Sequence, residues 1–175
     1  MPGAAQLQTV SDPIGIPDTF NERPRESEMR IATRCIGAAA TLALALCAAP
    51  AFAAEQVTVF KSASCGCCTK WIDHLRSNGF EVRATNIEAM STVRARLGVP
   101  ARLASCHTAV VGGYVIEGHV PASDIRRLMT ERAKVAGLAA PGMSSGSPGM
   151  EGPLPQPYSV MSFTKDGATA LFAKH

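Results

Sequence analysis

Hydrophobic and polar positions follow two periods along the chain, and the changes between them mark its elements. Residues 56–61 are a β-branched and aromatic run around Val57, Val59 and Phe60, which predicts a first strand. After a cysteine-rich loop, residues 69–78 place Trp71, Ile72 and Leu75 at helical spacing and stop before Gly79. Residues 80–87 alternate Phe80, Val82 and Ala84 with polar neighbours, as a second strand does. Met90, Val93 and Leu97 form one face of a short helix that Gly98 ends and Pro100 keeps from resuming. An irregular stretch, 101–105, follows. Residues 108–111 and 114–117 then flank Gly112 and Gly113, a two-residue hairpin signal. Pro121 opens a third helix with Ile125, Leu128, Met129, Arg132 and Val135 on one face and Gly137 just past its end.

The order is β-α-β-α-β-β-α. Its βαβ start needs a parallel pair and its later hairpin adds antiparallel strands, so an α/β fold with a mixed sheet and packed helices is expected. Residues 137–157 contain 13 Gly, Pro or Ser among 21 and predict a long loop. Residues 158–163 and 168–173 around Lys165, Asp166 and Gly167 predict a C-terminal hairpin.

Upstream, the pattern changes character. Met29 to Arg34 is a short basic segment, residues 35–49 are apolar, and Ala51, Phe52 and Ala53 form a small-x-small cleavage signal, so residues 29–53 read as a secretory signal peptide. The apolar run is shorter than the roughly 20 residues of a membrane span. Cys47 follows Leu46, where a lipoprotein signal has a small residue. Residues 1–28 are polar and without hydrophobic period, and read as a disordered, non-native extension ahead of a start at Met29. Residues 54–175 remain as one domain. It carries 13 Lys and Arg against 9 Asp and Glu. The basic residues are dispersed, so no nucleic-acid partner is expected.

Cleavage removes Cys35 and Cys47 and leaves Cys65, Cys67, Cys68 and Cys106. The first three sit where a strand hands over to a helix, and helix N-terminal amides favour the thiolate that both attacks disulfides and binds metal. Redox and metal readings are both open at this point. In thioredoxin-like redox enzymes the segment entering the third strand faces the C-x-x-C loop and carries a cis-proline. The corresponding segment here has Cys106 and His107, with Pro100 six residues before Cys106. That arrangement turns a fourth sulfur and an imidazole toward the first three. Soft donors of this kind select Cu(I), zinc or iron–sulfur clusters. Adjacent Cys67 and Cys68 suit several bridged ions better than one tetrahedral zinc. Four thiolates around one Cu(I) would leave about three uncompensated charges, so either more than one ion binds or some thiols stay protonated. Met143 and Met150, in the Gly/Pro/Ser loop, add neutral thioethers suited to Cu(I).

The set C-G-C-C at 65–68, S-C-H-T at 105–108, G-H-V-P at 118–121 and P-G-M to G-M-E at 141–151 resembles the DUF411 family, small exported proteins of thioredoxin-like fold associated with bacterial copper resistance. The resemblance covers nearly all of 54–175. It implies periplasmic copper binding through Cys65, Cys67, Cys68 and Cys106, with His107, Met143 and Met150 as further ligands. Expected partners are copper ions and other periplasmic copper carriers or exporters.

Plainer readings stand beside these. The four cysteines would make two structural disulfides, although three within four residues close loops too short to constrain much chain. His107 would be a strand-edge residue, and His119 caps or orients the third helix in preference to a ligand role, the lesser alternative. His74, on the exposed side of its helix, and the terminal His175 carry no expected role. Met90 and Met129 are expected in the core, as is Trp71, for which shielding of the cysteines one turn away is the alternative. The competing function is a thiol-disulfide or copper oxidoreductase using Cys65 and Cys68, and a third is a disulfide-stabilised interaction module. Intact mass of the exported protein is expected to give a chain starting near Ala54; a mature chain retaining Met1 refutes the leader assignment.

Overall fold

A computed structural model describes residues 54–175; the extension expected at 1–28 and the signal peptide expected at 29–53 lie outside the described residues. The elements are β1 (Gln56–Lys61), α1 (Gly66–Ser77), β2 (Glu81–Asn86), α2 (Met90–Arg96), a 3-10 turn (Ala101–Leu103), β3 (His107–Val111), β4 (Tyr114–Gly118), α3 (Ala122–Glu131), β5 (Gly137–Ala140), β6 (Ser159–Phe163) and β7 (Thr169–Lys174). The strands form one mixed sheet in the order β2-β1-β3-β4-β5-β6-β7. β1 runs parallel to β2 and antiparallel to β3, and β4 runs parallel to β5.

Alternation along the central strands explains the layering, because successive side chains leave a strand on opposite faces. Val57 and Val59, Ala109 and Val111, Ile116, and Leu138 point to the face where Trp71, Ile72 and Leu75 of α1 meet Ile125 and Leu128 of α3. Phe60 and Val110 point the other way, onto Val93 of α2, while Val115, Ala139 and Phe163 meet Val99 and Leu103 on that second face. With both faces covered, β3, β4 and β5 are buried throughout. No helix among the described residues is long and apolar enough to cross a membrane.

Several expectations need correction. The segment 137–157 does not begin as loop, because Gly137–Ala140 is a fully buried strand between β4 and β6. Its Gly-Leu-Ala-Ala sequence has no β-branched residue, so tertiary pairing and not local propensity makes it a strand. α3 stops at Glu131, since Arg132 takes a left-handed conformation at φ 48°, and Val135 lies beyond the helix. Gly137 is therefore a strand residue and not a helix stop. α1 starts at Gly66, three residues ahead of Thr69, which puts Cys67 and Cys68 in its first turn. Ala84 is exposed on the edge strand β2, where Val82 alone is buried. His74 is half-buried and accepts a hydrogen bond from the Ala122 amide at 3.2 Å. His175 lies 2.8 Å from Asp124 through Nε2 and stacks on Tyr158, fastening the C-terminus to α3. Met90 and Met129 are partly buried at the margins of the two clusters.

Gly137 is where β4 and β5 come closest. A Cβ there would fall 1.8 Å from the Val115 carbonyl oxygen and 2.9 Å from the Phe163 ring. Backbone cannot yield as a flexible side chain can, so Gly137→Ala is expected to destabilise by about 3 kcal/mol, the upper end of overpacking costs. Urea unfolding checks this; a midpoint unchanged from the parent would show that β5 is not packed as described.

Candidate metal centre

The site lies at one end of the sheet, and strand register builds it. Lys61, the last residue of β1, pairs with His107, the first of β3. The chain leaving β1 toward Cys65 and the chain entering β3 through Cys106 therefore meet at the same edge. Gly112 and Gly113, at φ 55° and 79°, form the tight turn that pairs Val111 with Tyr114. Counting five residues outward from that pair reaches Cys106 on one strand and His119 on the other.

The sulfur atoms converge accordingly. Cys65 and Cys68 form a disulfide, while Cys67 and Cys106 are free thiols. Cys67 Sγ lies 3.5 Å from Cys65 Sγ and 3.9 Å from Cys106 Sγ, and Cys68 Sγ is 3.8 Å from the Cys106 carbonyl oxygen. Cys106 Sγ is 3.0 Å from His119 Nε2 and 3.4 Å from His107 Nδ1. Ligand atoms of Cys65, Cys67, Cys68 and Cys106 all fall within 4.8 Å of one another, as do those of Cys106, His107 and His119. Cys106 belongs to both sets.

Hydrogen bonding fixes the state of His119. Its Nδ1–H donates to the Pro148 carbonyl at 2.8 Å, which leaves the Nε2 lone pair facing Cys106. A ring nitrogen tied to a backbone carbonyl, with the other directed at soft donors, is the usual arrangement of a metal-binding histidine. Burial lowers the His119 pKa, so the ring is neutral and accepts from the Cys106 thiol. His107 is fully buried between Trp71 and His119, with ring centroids 4.3 Å and 4.9 Å away. Burial first, then the neighbouring His119, pushes its pKa down to about 3. The Gly118 backbone compensates in part. No group reaches hydrogen-bond geometry with His107 Nε2, leaving it a buried polar atom without a partner.

Cys106 is pushed up to about 12 by burial, with the charge of Cys67 as the second cause, so in the metal-free protein it is a thiol. Two thiols and two neutral imidazoles, with His119 Nε2 and His107 Nδ1 turned to the Cys106 sulfur, fit a soft metal ion, which would replace the thiol protons. α1 contributes in a second way. It starts with no side-chain cap, so its first-turn amides lie beside the cysteine loop with no capping side chain on them.

The 141–157 loop closes over this end. Ser105 Oγ donates to the Gly142 carbonyl, and Gly149, at φ 84°, sits so close to α1 that a Cβ would lie 2.7 Å from the Trp71 amide nitrogen. Glu151 accepts from the Gly149 amide at 2.7 Å, and that bond lowers its pKa. Met150 is partly buried beside this contact, whereas Met143 is 59% exposed. Of the ligands expected from sequence, the structure thus gathers the four cysteines and His107, keeps Met150 in the closing loop, and leaves Met143 facing outward. For His119 the sequence favours a residue orienting α3 over a ligand, and the structure sets its Nε2 3.0 Å from the Cys106 sulfur. Its signal was the Gly-Gly turn, which sets the register as far as residue 119. In the residues just after it, the Val120 carbonyl accepts from Trp71 Nε1 and the Ala122 amide donates to His74.

No curated protein matches the chain. The profile of DUF411, described as a protein family of unknown function, matches residues 103–150. Two solved structures, forms 1 and 2 of copper resistance protein CopG, are each 46% identical to the chain over 70% of its length, with a TM-score of 0.67. The chain covers 98% of form 1 and 99% of form 2. At that identity and coverage, and with the family profile matching inside the described domain, the protein belongs to the DUF411 family.

Proposed function

We propose that this protein is a periplasmic Cu(I)-binding protein of copper resistance or homeostasis, carried on a thioredoxin-like domain. The observation that carries the reading is the position of the Cys106 sulfur, 3.9 Å from the Cys67 sulfur and 3.0 Å from His119 Nε2, which joins the thiols to the imidazoles. The names of its CopG relatives support copper as the ion. The sheet order β2-β1-β3-β4, with α1 and α3 on one face, supports the thioredoxin-like assignment. The signal-like segment 29–53 supports export.

Charge favours this set over four thiolates on one ion. Cys67 and Cys106 around one Cu(I) leave a single net negative charge. A second Cu(I) on the shared Cys106 sulfur, completed by His107 and His119, leaves none, because imidazoles bind neutral. Cys65 and Cys68 join when their disulfide is reduced. Met150, beside the seated Gly149, is the better thioether donor, and Met143 would need the loop to turn inward. Exchange with other copper carriers then proceeds by replacing one soft ligand at a time.

A second reading has its own support. Cys67 lies 3.5 Å from the sulfur of a disulfide at a helix N-terminus, the placement of an attacking thiol, which favours a thiol-disulfide or copper oxidoreductase.

Anaerobic loading with Cu(I), gel filtration and elemental analysis is expected to leave at least one equivalent on the oxidised protein and more after reduction. Cys67→Ser and Cys106→Ser are each expected to lose most of it. Wild-type copper content in Cys106→Ser overturns the metal reading. Insulin reduction abolished by Cys65→Ser yet indifferent to Cys106→Ser selects the oxidoreductase. Gly149→Ala, which lifts the loop and frees the His119 ring from Pro148, is expected to weaken Cu(I) about tenfold in a chelator competition, the lower end of outer-ligand effects. Unaltered affinity there removes the loop from the site.

A further inference from the structure

Ser105 immediately precedes the shared sulfur ligand and lies outside every strand and helix, so its backbone groups have no ladder to join. Both are taken up by one buried ion pair. Glu117, fully buried on β4, accepts through Oε1 from the Ser105 amide at 2.6 Å and from Arg94 Nε at 2.8 Å. Arg94, on α2, turns its terminal nitrogen to the Ser105 carbonyl, the oxygen of the peptide that links Ser105 to Cys106. Glu117 Oε2 accepts from Thr108 Oγ1 at 2.6 Å. The Ser105 hydroxyl donates to Gly142.

The carboxylate therefore joins the two chain ends that carry ligands. It stands two residues before His119 and holds the residue before Cys106, past the last paired rung of the hairpin, Thr108 with Glu117. A buried ion pair is a poor source of stability, since desolvation offsets most of the attraction and apolar replacements are often neutral. Its geometry has a more specific consequence. With Ser105 held at its N–H by Glu117 and at its C=O by Arg94, the peptides on both sides of it are fixed, and with them the backbone that enters Cys106.

We propose that Arg94 and Glu117 are positioning residues of the metal site. They hold Ser105 through its amide and its carbonyl, so that the Cys106 sulfur stays 3.9 Å from Cys67 and 3.0 Å from His119. The inference rests on the metal-binding reading given above. Neither residue touches the metal; each acts through the backbone of a ligand, as hydrogen-bond partners of metal ligands commonly do. Thr108 is bound to the same carboxylate but does not touch Ser105, so it separates support of the carboxylate from support of the ligand.

Three variants of the purified protein test this: Glu117→Gln, Arg94→Lys and Thr108→Val. Each is measured for urea midpoint, for Cu(I) affinity against a chromophoric chelator, and for the iodoacetamide alkylation rate of Cys106 in a Cys67→Ser background without metal. Glu117→Gln and Arg94→Lys are expected to weaken Cu(I) binding by about 10- to 100-fold and to speed Cys106 alkylation. Thr108→Val is expected to lower the urea midpoint while affinity and alkylation stay at the parent values. Arg94→Lys keeps the charge balance and serves where Glu117→Gln does not fold. Parent-like affinity and alkylation in both clamp variants overturn the proposal, as does a Thr108→Val loss of affinity equal to theirs. Faster alkylation in a protein whose parent binds no Cu(I) keeps the clamp and refutes the metal-binding reading instead.

Discussion

The placement of β3 between β1 and β4 is the constraint on which the site depends. Antiparallel pairing on both sides, with Lys61 opposite His107 and Val111 opposite Tyr114, brings three chain ends to one edge of the sheet. One leads to the cysteine loop, one brings Cys106, and one leaves toward His119. A slip of one residue would turn the alternating apolar set of β3 to the wrong face, so burial of both faces enforces the register. The positions of the ligands follow from how the core packs.

At that edge the protein keeps polar groups where water has little access. Cys106 is held as a thiol and both histidines as neutral rings, because burial disfavours each charged form. Trp71 forms the wall, fully buried, with its ring on His107 and its Nε1–H given to the Val120 carbonyl. This side chain belongs to the core and to the site at once. It ties α1 to the corner where His119 turns out of β4.

The loop after β5 ends the enclosure through close backbone approach. Gly149 can rest on the first turn of α1 only because it lacks a Cβ, and Pro148 presents its carbonyl to His119 in the same stretch. Turn bonds from Gly146 to Met150 and from Gln156 to Ser145 hold the loop in shape, so its glycine, proline and serine content encodes a fixed path. The disulfide between Cys65 and Cys68 lies beside the free thiols of Cys67 and Cys106.

Much of this was legible in the chain. Periodicity marks β1, α1, the Gly-Gly hairpin, α2 and the C-terminal hairpin because each is defined by side chains within one or two turns of sequence. The cysteine spacing, with Cys106 and His107 entering a strand, was enough to expect a soft-donor site. Tertiary structure alone decided what depends on distant partners. Gly137–Ala140 is a strand because β4 and β6 receive it. Arg94 and Glu117 are a pair because α2 crosses the face behind β4's carboxylate, 23 residues away in sequence. Buried polar groups need partners wherever the fold brings them, and no local pattern records that need.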